Sequence, residues 1–355
     1  MRERSRWVMA VWIVVAAGSV TAATAYWDPR FERGGPKDAR QRAVLETNDP
    51  GCEVPKLVST GGPAPKDPHT LALRWTGYGN FELVYNGQIL LLDAYFDRGN
   101  WFPPLGFKAA DIKRANAILI GHGHVDHMSD AASVGARTGA LVVGAPVTTE
   151  KLLTQSIDPK QVKTVTGKGD ELLEFKGLKV EPILGRHGDP PPEVAAAFRM
   201  TLGSFAKPLT PEQQAESAAI RARGTSDRRV LAEGTIAYLI TLDNGFRIMY
   251  RDSGGAVTDY EKRAMERVGR VDVALVAVSA SFLQNLTVQR ALEHMRTYKP
   301  DVYIPAHHDS DYNGLWRSTE PLFQGVKDEF PNIVTVSKGY REPICFDTSN
   351  NLQHR

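Results

Sequence analysis

Short apolar runs broken by turn residues fill the chain from residue 71 onward. Leu71-Ala72-Leu73-Arg74-Trp75 and Phe81-Glu82-Leu83-Val84-Tyr85 read as strands. Asn86-Gly87 follows, a pair that accepts the positive φ of a two-residue hairpin turn, and Gln88 to Leu92 reads as the returning strand. Ala117 to Ile120 has the unbroken apolar character of a buried strand. A helix is expected from near Asp126 to the glycines at 135 and 139, and Leu141 to Val143 is the next strand.

The second half repeats this rhythm. Leu172 to Phe175 and Leu178 to Ile183 flank Lys176-Gly177, and Ile236 to Leu242 and Phe246 to Tyr250 flank Asp243-Asn244-Gly245, two more hairpins. Val273 to Val278 reads as a buried strand. Thr287 to Tyr298 carries Val288, Ala291, Leu292 and Met295 on one helical face, and Pro300 stops it. Val302-Tyr303-Ile304 and Ile333 to Val336 are the last strands. Hairpins first and strand-helix units later, twice over, predict an α/β chain of two mixed sheets packed face to face with helices outside.

Before residue 71 the pattern changes. Arg2, Arg4 and Arg6 precede an apolar run from Trp7 to Val20 and an Ala23-Thr24-Ala25 cleavage pattern, so residues 1–25 read as a signal peptide. Uncleaved, the segment would be an N-terminal membrane anchor. Either way a periplasmic or secreted location is expected. Residues 26–70 are rich in Pro, Gly and charge and read as an extension draped over a main domain at 71–346, with 347–355 as a tail. Cys52 and Cys345, the two cysteines, are not in a C-x-x-C pair, which disfavours a cysteine zinc site. In an oxidising compartment they suggest one disulfide, with two unpaired thiols as the alternative.

Composition narrows the partners. The 43 Lys and Arg nearly balance the 41 Asp and Glu, for a net charge of +2. The first 25 residues account for that excess, so the body is about neutral, which argues against electrostatic capture of nucleic acid or of an anionic membrane. A small-molecule partner is expected.

Ile120-Gly121-His122-Gly123-His124-Val125-Asp126-His127 carries the chemistry. It packs three of the chain's nine histidines and one aspartate into six residues, between a buried strand and a helix. An extended H-x-H segment sets both imidazoles on one side, and the turn into the helix brings Asp126 and His127 to a neighbouring point. Gly121 and Gly123 let backbone crowd the site. Imidazole with carboxylate suits zinc, with iron or manganese as alternatives.

These residues resemble the H-x-H-x-D-H signature of the metallo-β-lactamase superfamily, and the resemblance runs from about Leu71 to Cys345. Leu90-Leu91-Leu92-Asp93, Gly185-Arg186-His187-Gly188-Asp189, Met249-Tyr250-Arg251-Asp252-Ser253-Gly254 and Ile304-Pro305-Ala306-His307 are similar to the remaining motifs, in their usual order. The short opening and the strand ending on Asp93 look more like the lactonase-like and phospholipase-D-like branch than like true β-lactamases. Thr76-Gly77-Tyr78-Gly79-Asn80 stands where many branches carry Gly-His-Ala-Ser, so Tyr78 is a substrate-side candidate with no borrowed role.

The resemblance implies an αβ/βα four-layer sandwich with two divalent metals at one edge. His122, His124 and His187 would hold the first; Asp126, His127 and His307 the second; Asp252 would bridge them. Asp93 would orient the loop from behind, and His308 would lie beside the site. Asp126 and Asp252 are the catalytic candidates. The implied activity is an exported binuclear hydrolase, in which a hydroxide shared by the metals attacks an ester, lactone, amide or phosphodiester. A nuclease or other phosphodiesterase of the same fold, a non-catalytic metal-binding protein and an iron oxidoreductase are the alternatives. No flavin domain or Gly-x-Ser-x-Gly motif is visible.

Residues 193–233 separate the His187 motif from the next strand and are far longer than a hairpin connection. Thr210-Pro211 reads as a helix start, and Arg221, Arg223, Arg228 and Arg229 make a basic cluster. The segment is expected to form a lid, with Phe198, Met200 and Phe205 supplying apolar contact; a solvated surface insertion is the alternative.

Overall fold

A computed structural model describes residues 49–188, 208–225, 228–278, 284–309 and 318–349. The proposed signal segment, residues 26–48 of the extension, Phe198, Met200 and Phe205 lie outside them. No helix among the described residues is long and apolar enough to cross a membrane.

The first half comprises strands β1 (Thr70–Trp75), β2 (Phe81–Tyr85), β3 (Gln88–Leu92) and β4 (Ala117–Leu119), helices α1 (Val125–Met128) and α2 (Ala131–Thr138), strand β5 (Leu141–Gly144), helix α3 (Pro146–Leu153) and strand β6 (Val162–Thr164). The second half has β7 (Leu173–Phe175), β8 (Leu178–Gly185), α4 (Pro211–Arg221), α5 (Arg228–Glu233), β9 (Thr235–Leu242), β10 (Arg247–Arg251) and α6 (Asp259–Val268). It closes with β11 (Val273–Ala277), α7 (Gln284–Tyr298), β12 (Val302–Ala306), α8 (Glu320–Glu329), β13 (Val334–Thr335) and β14 (Pro343–Asp347). One seven-stranded sheet runs β14-β1-β2-β3-β4-β5-β6, the other β13-β12-β11-β10-β9-β8-β7.

Strand alternation sorts the side chains into layers. Leu71, Leu73 and Trp75 point between the sheets and meet Ile236, Tyr238 and Ile240 of β9 in the central core. Ala72, on the opposite face, joins Val134 of α2 and Leu152 of α3. Behind the second sheet, Met249 and Val276 pack on Met265 of α6, Met295 of α7 and Val326 of α8. The result is the αβ/βα four-layer sandwich expected from the motifs.

Two expectations need correction. The helix expected after Asp126 breaks into α1 and α2, because the Asp130 carboxylate accepts from the backbone N–H of Phe96 (2.7 Å) and Asp97 (2.9 Å) and so turns the chain there. The strand at Ile333 to Val336, expected to be the last, is followed by β14, which pairs antiparallel with β1, Ala72 opposite Cys345, at the edge of the first sheet.

Residues 49–69 lie along that edge. The buried Glu82 carboxylate accepts from the N–H of Val58 (2.9 Å) and Ser59 (2.8 Å), and Asp49 accepts from Gly51, Lys66 and Asp67. Cys52 and Cys345 form a disulfide, Cα atoms 6.1 Å apart and 293 residues apart in sequence.

Candidate metal centre

Five strand ends deliver the site. Asp93 follows β3, the His122–His127 loop follows β4, His187 follows β8, Asp252 follows β10 and His307 follows β12. The loop from the first sheet is fastened to the second: Ile236 N–H donates to Gly121 O (2.6 Å), and the Tyr238 hydroxyl donates to Ile120 O (2.8 Å).

The structure brings all seven candidate ligands together in three interlocking groups. His122, His124 and His187 form one, His122, His127 and Asp252 the second, Asp126, His127 and His307 the third, with ligand atoms within 4.8 Å inside each group. His122 Nε2 lies 3.0 Å from His124 Nδ1, the same-side placement expected of H-x-H. The His187 ring centroid is 4.8 Å from that of His122 and 4.9 Å from that of His124. Asp126 Oδ2 is 3.1 Å from His307 Nε2 and 3.3 Å from His127 Nε2. Asp252 Oδ2 lies between the outer groups, 2.5 Å from His122 Nδ1 and 3.4 Å from His127 Nδ1.

The donor chemistry fits divalent cations. Burial first, then the neighbouring imidazoles, hold His122 well below its usual pKa, and burial pushes His124 down to about 4. Both are therefore neutral at physiological pH and offer a lone pair. His127 is the opposite case. Burial disfavours its charge, but Asp126, Asp93 and Asp252 outweigh it and raise the pKa well above the usual value. A pocket of carboxylates that forces a proton onto an imidazole is a pocket that attracts a cation. Asp252 Oδ1 is buried with no hydrogen-bond partner among the described residues, an acceptor that a cation would satisfy.

Backbone close approach is built in at Gly121 and Gly123. A Cβ on Gly121 would lie 2.0 Å from Asp252 Cγ, and one on Gly123 would lie 2.8 Å from Thr225 Cγ2. Three non-glycine residues of the site hold left-handed backbone, Tyr78 (φ 49°), Asp93 (φ 60°) and His307 (φ 61°), a concentration that a rigid surround has to maintain.

The supporting residues divide as follows. Asp93 sits where an orienting carboxylate is needed: Oδ2 is 2.6 Å from His127 Nδ1, and Oδ1 accepts from Gly121 N–H at 2.9 Å. Tyr78 is in contact with the site: its ring meets that of His307 edge-on at 4.9 Å, and its carbonyl accepts from His307 N–H at 2.7 Å. His308 stands beside the site: its ring stacks on Trp75, centroids 4.3 Å apart, and it does not line the cavity over the metal site.

That cavity measures about 330 Å³ and contains all seven candidate ligands in its walls. Trp101, Phe102 and Tyr95 line it too, although the sequence reading passed over them; an aromatic pair in the irregular Gly99–Pro104 stretch was the available signal. Helix α4 of the expected lid lines the far side, started by a Thr210–Gln213 capping box. Its basic cluster does not act as one patch: Arg223 pairs with buried Asp130 (3.1 Å) and Arg229 with Glu150 on the surface (3.0 Å).

Two buried networks stand behind the ligands. Asp309 accepts from Tyr78 N–H (2.8 Å), from Arg98 (2.7 Å) and from the Tyr340 hydroxyl (2.6 Å), which fixes the turn carrying His307. Arg251, next to Asp252, pairs with Glu261 (3.2 Å), contacts His294 and donates to Ala256 O (3.1 Å). Neither was legible in sequence, since each joins residues far apart in the chain.

Comparison with known proteins agrees with this geometry. Residues 88–308 match the family described as beta-lactamase superfamily domain. The chain is 22% identical over 272 residues to a metal-dependent hydrolase of Polynucleobacter asymbioticus, covering 75% of this chain and 84% of that protein. A metal-dependent hydrolase of Methanopyrus kandleri is 21% identical over 239 residues, covering 67% and 84%. Among solved structures, Igni18, a metallo hydrolase of Ignicoccus hospitalis, is similar with a TM-score of 0.54 at 15% identity, covering 78% of this chain and 98% of that one. A possible metal-dependent hydrolase from Veillonella parvula gives 0.51 at 13% identity, covering 77% and 98%. At such identities the structural likeness speaks for the fold alone.

Proposed function

The chain belongs to the beta-lactamase superfamily and is a metal-dependent hydrolase, and from that premise we propose that it is an exported enzyme holding two divalent ions, zinc by preference. Its substrate is a small-molecule ester, lactone, amide or phosphodiester. The observation that carries this reading is the convergence of seven donors, in three overlapping groups, on one wall of a 330 Å³ cavity.

His122, His124 and His187 would hold one ion and Asp126, His127 and His307 the other, with the Asp252 carboxylate standing between the two groups. Bound divalent ions supply an activated water and polarise the oxygen of the group under attack. The protein's own residues set the stage. Asp93 fixes the ring of His127, and the Asp252 carboxylate is held between His122 and His127. Asp126 is the one aspartate of the three that reaches partly into the open, its side chain 23% exposed. Burial raises its pKa, but His127 and His307 outweigh burial and hold it well below the usual carboxylate range, so Asp126 serves as an ionised ligand. Tyr78, Tyr95, Trp101 and Phe102 shut out water from one side.

Export is supported by the N-terminal basic and apolar pattern and by the Cys52–Cys345 disulfide, which suits an oxidising compartment. A nucleic-acid substrate is disfavoured by the near-neutral body and by a cavity roofed by α4. The test is hydrolysis of a chromogenic panel of lactones, esters, β-lactams and phosphodiesters by zinc-reconstituted protein, together with cell fractionation. Inactivity across the panel with metal bound would remove the hydrolytic reading, and recovery from the cytosol with residues 1–25 intact would remove export.

A further inference from the structure

The cavity above the histidines has two unlike sides. One is aromatic: Tyr78 meets Tyr95 and Phe102 edge-on at 5.1 and 6.0 Å, and Trp101 lies 5.9 Å from Phe102. Tyr78 and Tyr95 are buried, whereas Trp101 and Phe102 are half-buried and leave apolar surface for a ligand to cover.

The other side is the last turn of α4. Ile220 is buried in the aromatic cluster with Tyr78 and Tyr95, so that turn cannot swing freely. The chain just beyond it is fastened to the metal loop. Arg223 pairs with Asp130, a Cβ on Gly224 would lie 2.4 Å from Val125 Cα, and Thr225 N–H donates to Gly123 O at 2.9 Å. Between these anchors stands Arg221. It is the one Lys or Arg among the described residues lining the cavity, and its side chain is exposed, with a single long contact to Ser217 (3.4 Å). A guanidinium carried by an anchored helix end on the lining of the metal-site cavity, with an apolar wall across from it, is suited to a planar or tetrahedral oxyanion.

We propose that Arg221 is a specificity-determining residue: it binds an oxyanion, carboxylate or phosphate, at one end of a substrate whose apolar body lies on Trp101 and Phe102 and whose scissile group reaches the histidines. The favoured substrates are thus amphiphilic acids with a hydrolysable bond within the chain. The inference rests on the hydrolytic reading above for the word substrate, but the recognition itself can be measured by binding alone.

The experiment uses the zinc-reconstituted full chain and para-nitrophenyl esters of one length: hexanoate, which is neutral, the mono-ester of adipate, which ends in a carboxylate, and a matching ester ending in a phosphonate. The ratio of kcat/KM for an anionic ester over the neutral one should exceed unity. Arg221→Ala should lower it about two- to fivefold, mainly through KM, and Arg221→Lys should retain part of it. The larger ratio of the two anionic esters identifies the preferred head group. A ratio that Arg221→Ala leaves unchanged overturns the proposal. Calorimetric binding of phenylhexanoate against phenylhexanol separates the two readings. If no ester is cleaved, yet phenylhexanoate binds more tightly by a margin that Arg221→Ala abolishes, recognition stands and hydrolysis falls. If the esters are cleaved and the binding margin survives Arg221→Ala, the carboxylate is held elsewhere and the inference falls.

Discussion

The Arg251 guanidinium donates to the backbone carbonyl of Arg186 at 2.8 Å, so the residue before Asp252 is tied to the residue before His187. Two ligands from different strand ends therefore share one anchor. The anchor is itself held by Glu261 at 3.2 Å, with Arg251 and Glu261 both fully buried.

Arg251→Met should expose both consequences. Removing one partner of a buried ion pair strands the other and costs about 3–5 kcal/mol of stability. Loss of a supporting contact behind metal ligands typically lowers metal affinity by about 10–100-fold. Thermal melts and zinc competition against a chelator read the two separately. A destabilised variant with wild-type zinc affinity would mean that Arg251 serves the fold alone.

Metal content is the most direct check on the centre. Elemental analysis after zinc reconstitution should return about two ions per chain, and chelation should lower the melting temperature, because zinc binds the folded state in preference to the unfolded one. A stoichiometry of one, unchanged by excess zinc, would dismantle the partition into two groups.

Asp252→Ala should cost far more activity than stability. Burial raises the carboxyl's pKa, so its ionisation opposes the metal-free fold, and truncation to Ala removes that opposition along with the contacts to His122 and His127. Turnover should fall by orders of magnitude while the melt of the metal-free protein stays within a few degrees. Normal kinetics in this variant would exclude Asp252 from the centre.

The lid can be trimmed only so far. Deleting 209–228 would also remove the Thr225 N–H bond to Gly123 and the Arg223–Asp130 pair, both of which touch the metal loop. Replacing 209–221 with a short Gly/Ser linker spares them. That variant should keep its metal content and show a changed KM or substrate preference. Unchanged kinetics over the whole panel would make α4 a surface decoration.

Local signals in this chain were strong and distant ones silent. The Asn86-Gly87 hairpin was legible to the residue, because turn chemistry and flanking apolar runs agree there. The four donors from His122 to His127 were legible from their spacing, whereas His187, Asp252 and His307 were legible only through the resemblance of their flanking motifs to those of the superfamily. Helix α6 was missed although Thr258 and Glu261 form a capping box, a signal present in the sequence and not used. Strand β14 was missed because Pro343–Asp347 becomes a strand only beside β1, nearly the whole chain away. The surroundings of His308 were silent because the Trp75 ring it stacks on comes from β1, more than two hundred residues away. Arg98, Asp309 and Tyr340 each look like ordinary surface residues until the fold buries them together.

The Cys52–Cys345 bond makes the body of the protein a covalent ring. Tension applied at the two chain ends passes through that bond and, once the Phe346–Asp347 end of β14 is peeled from β1, bypasses the rest of both sheets and the whole metal site. A pore that threads proteins from one end would meet a closed loop and have to admit two strands abreast. Stretched in an optical trap, the oxidised chain should keep about 293 residues of contour hidden, on the order of 1,000 Å, until a reductant releases them. Full extension without reductant would show the ring to be open. In a compartment that keeps the bond oxidised, the catalytic body is thus mechanically insulated from whatever grips its ends.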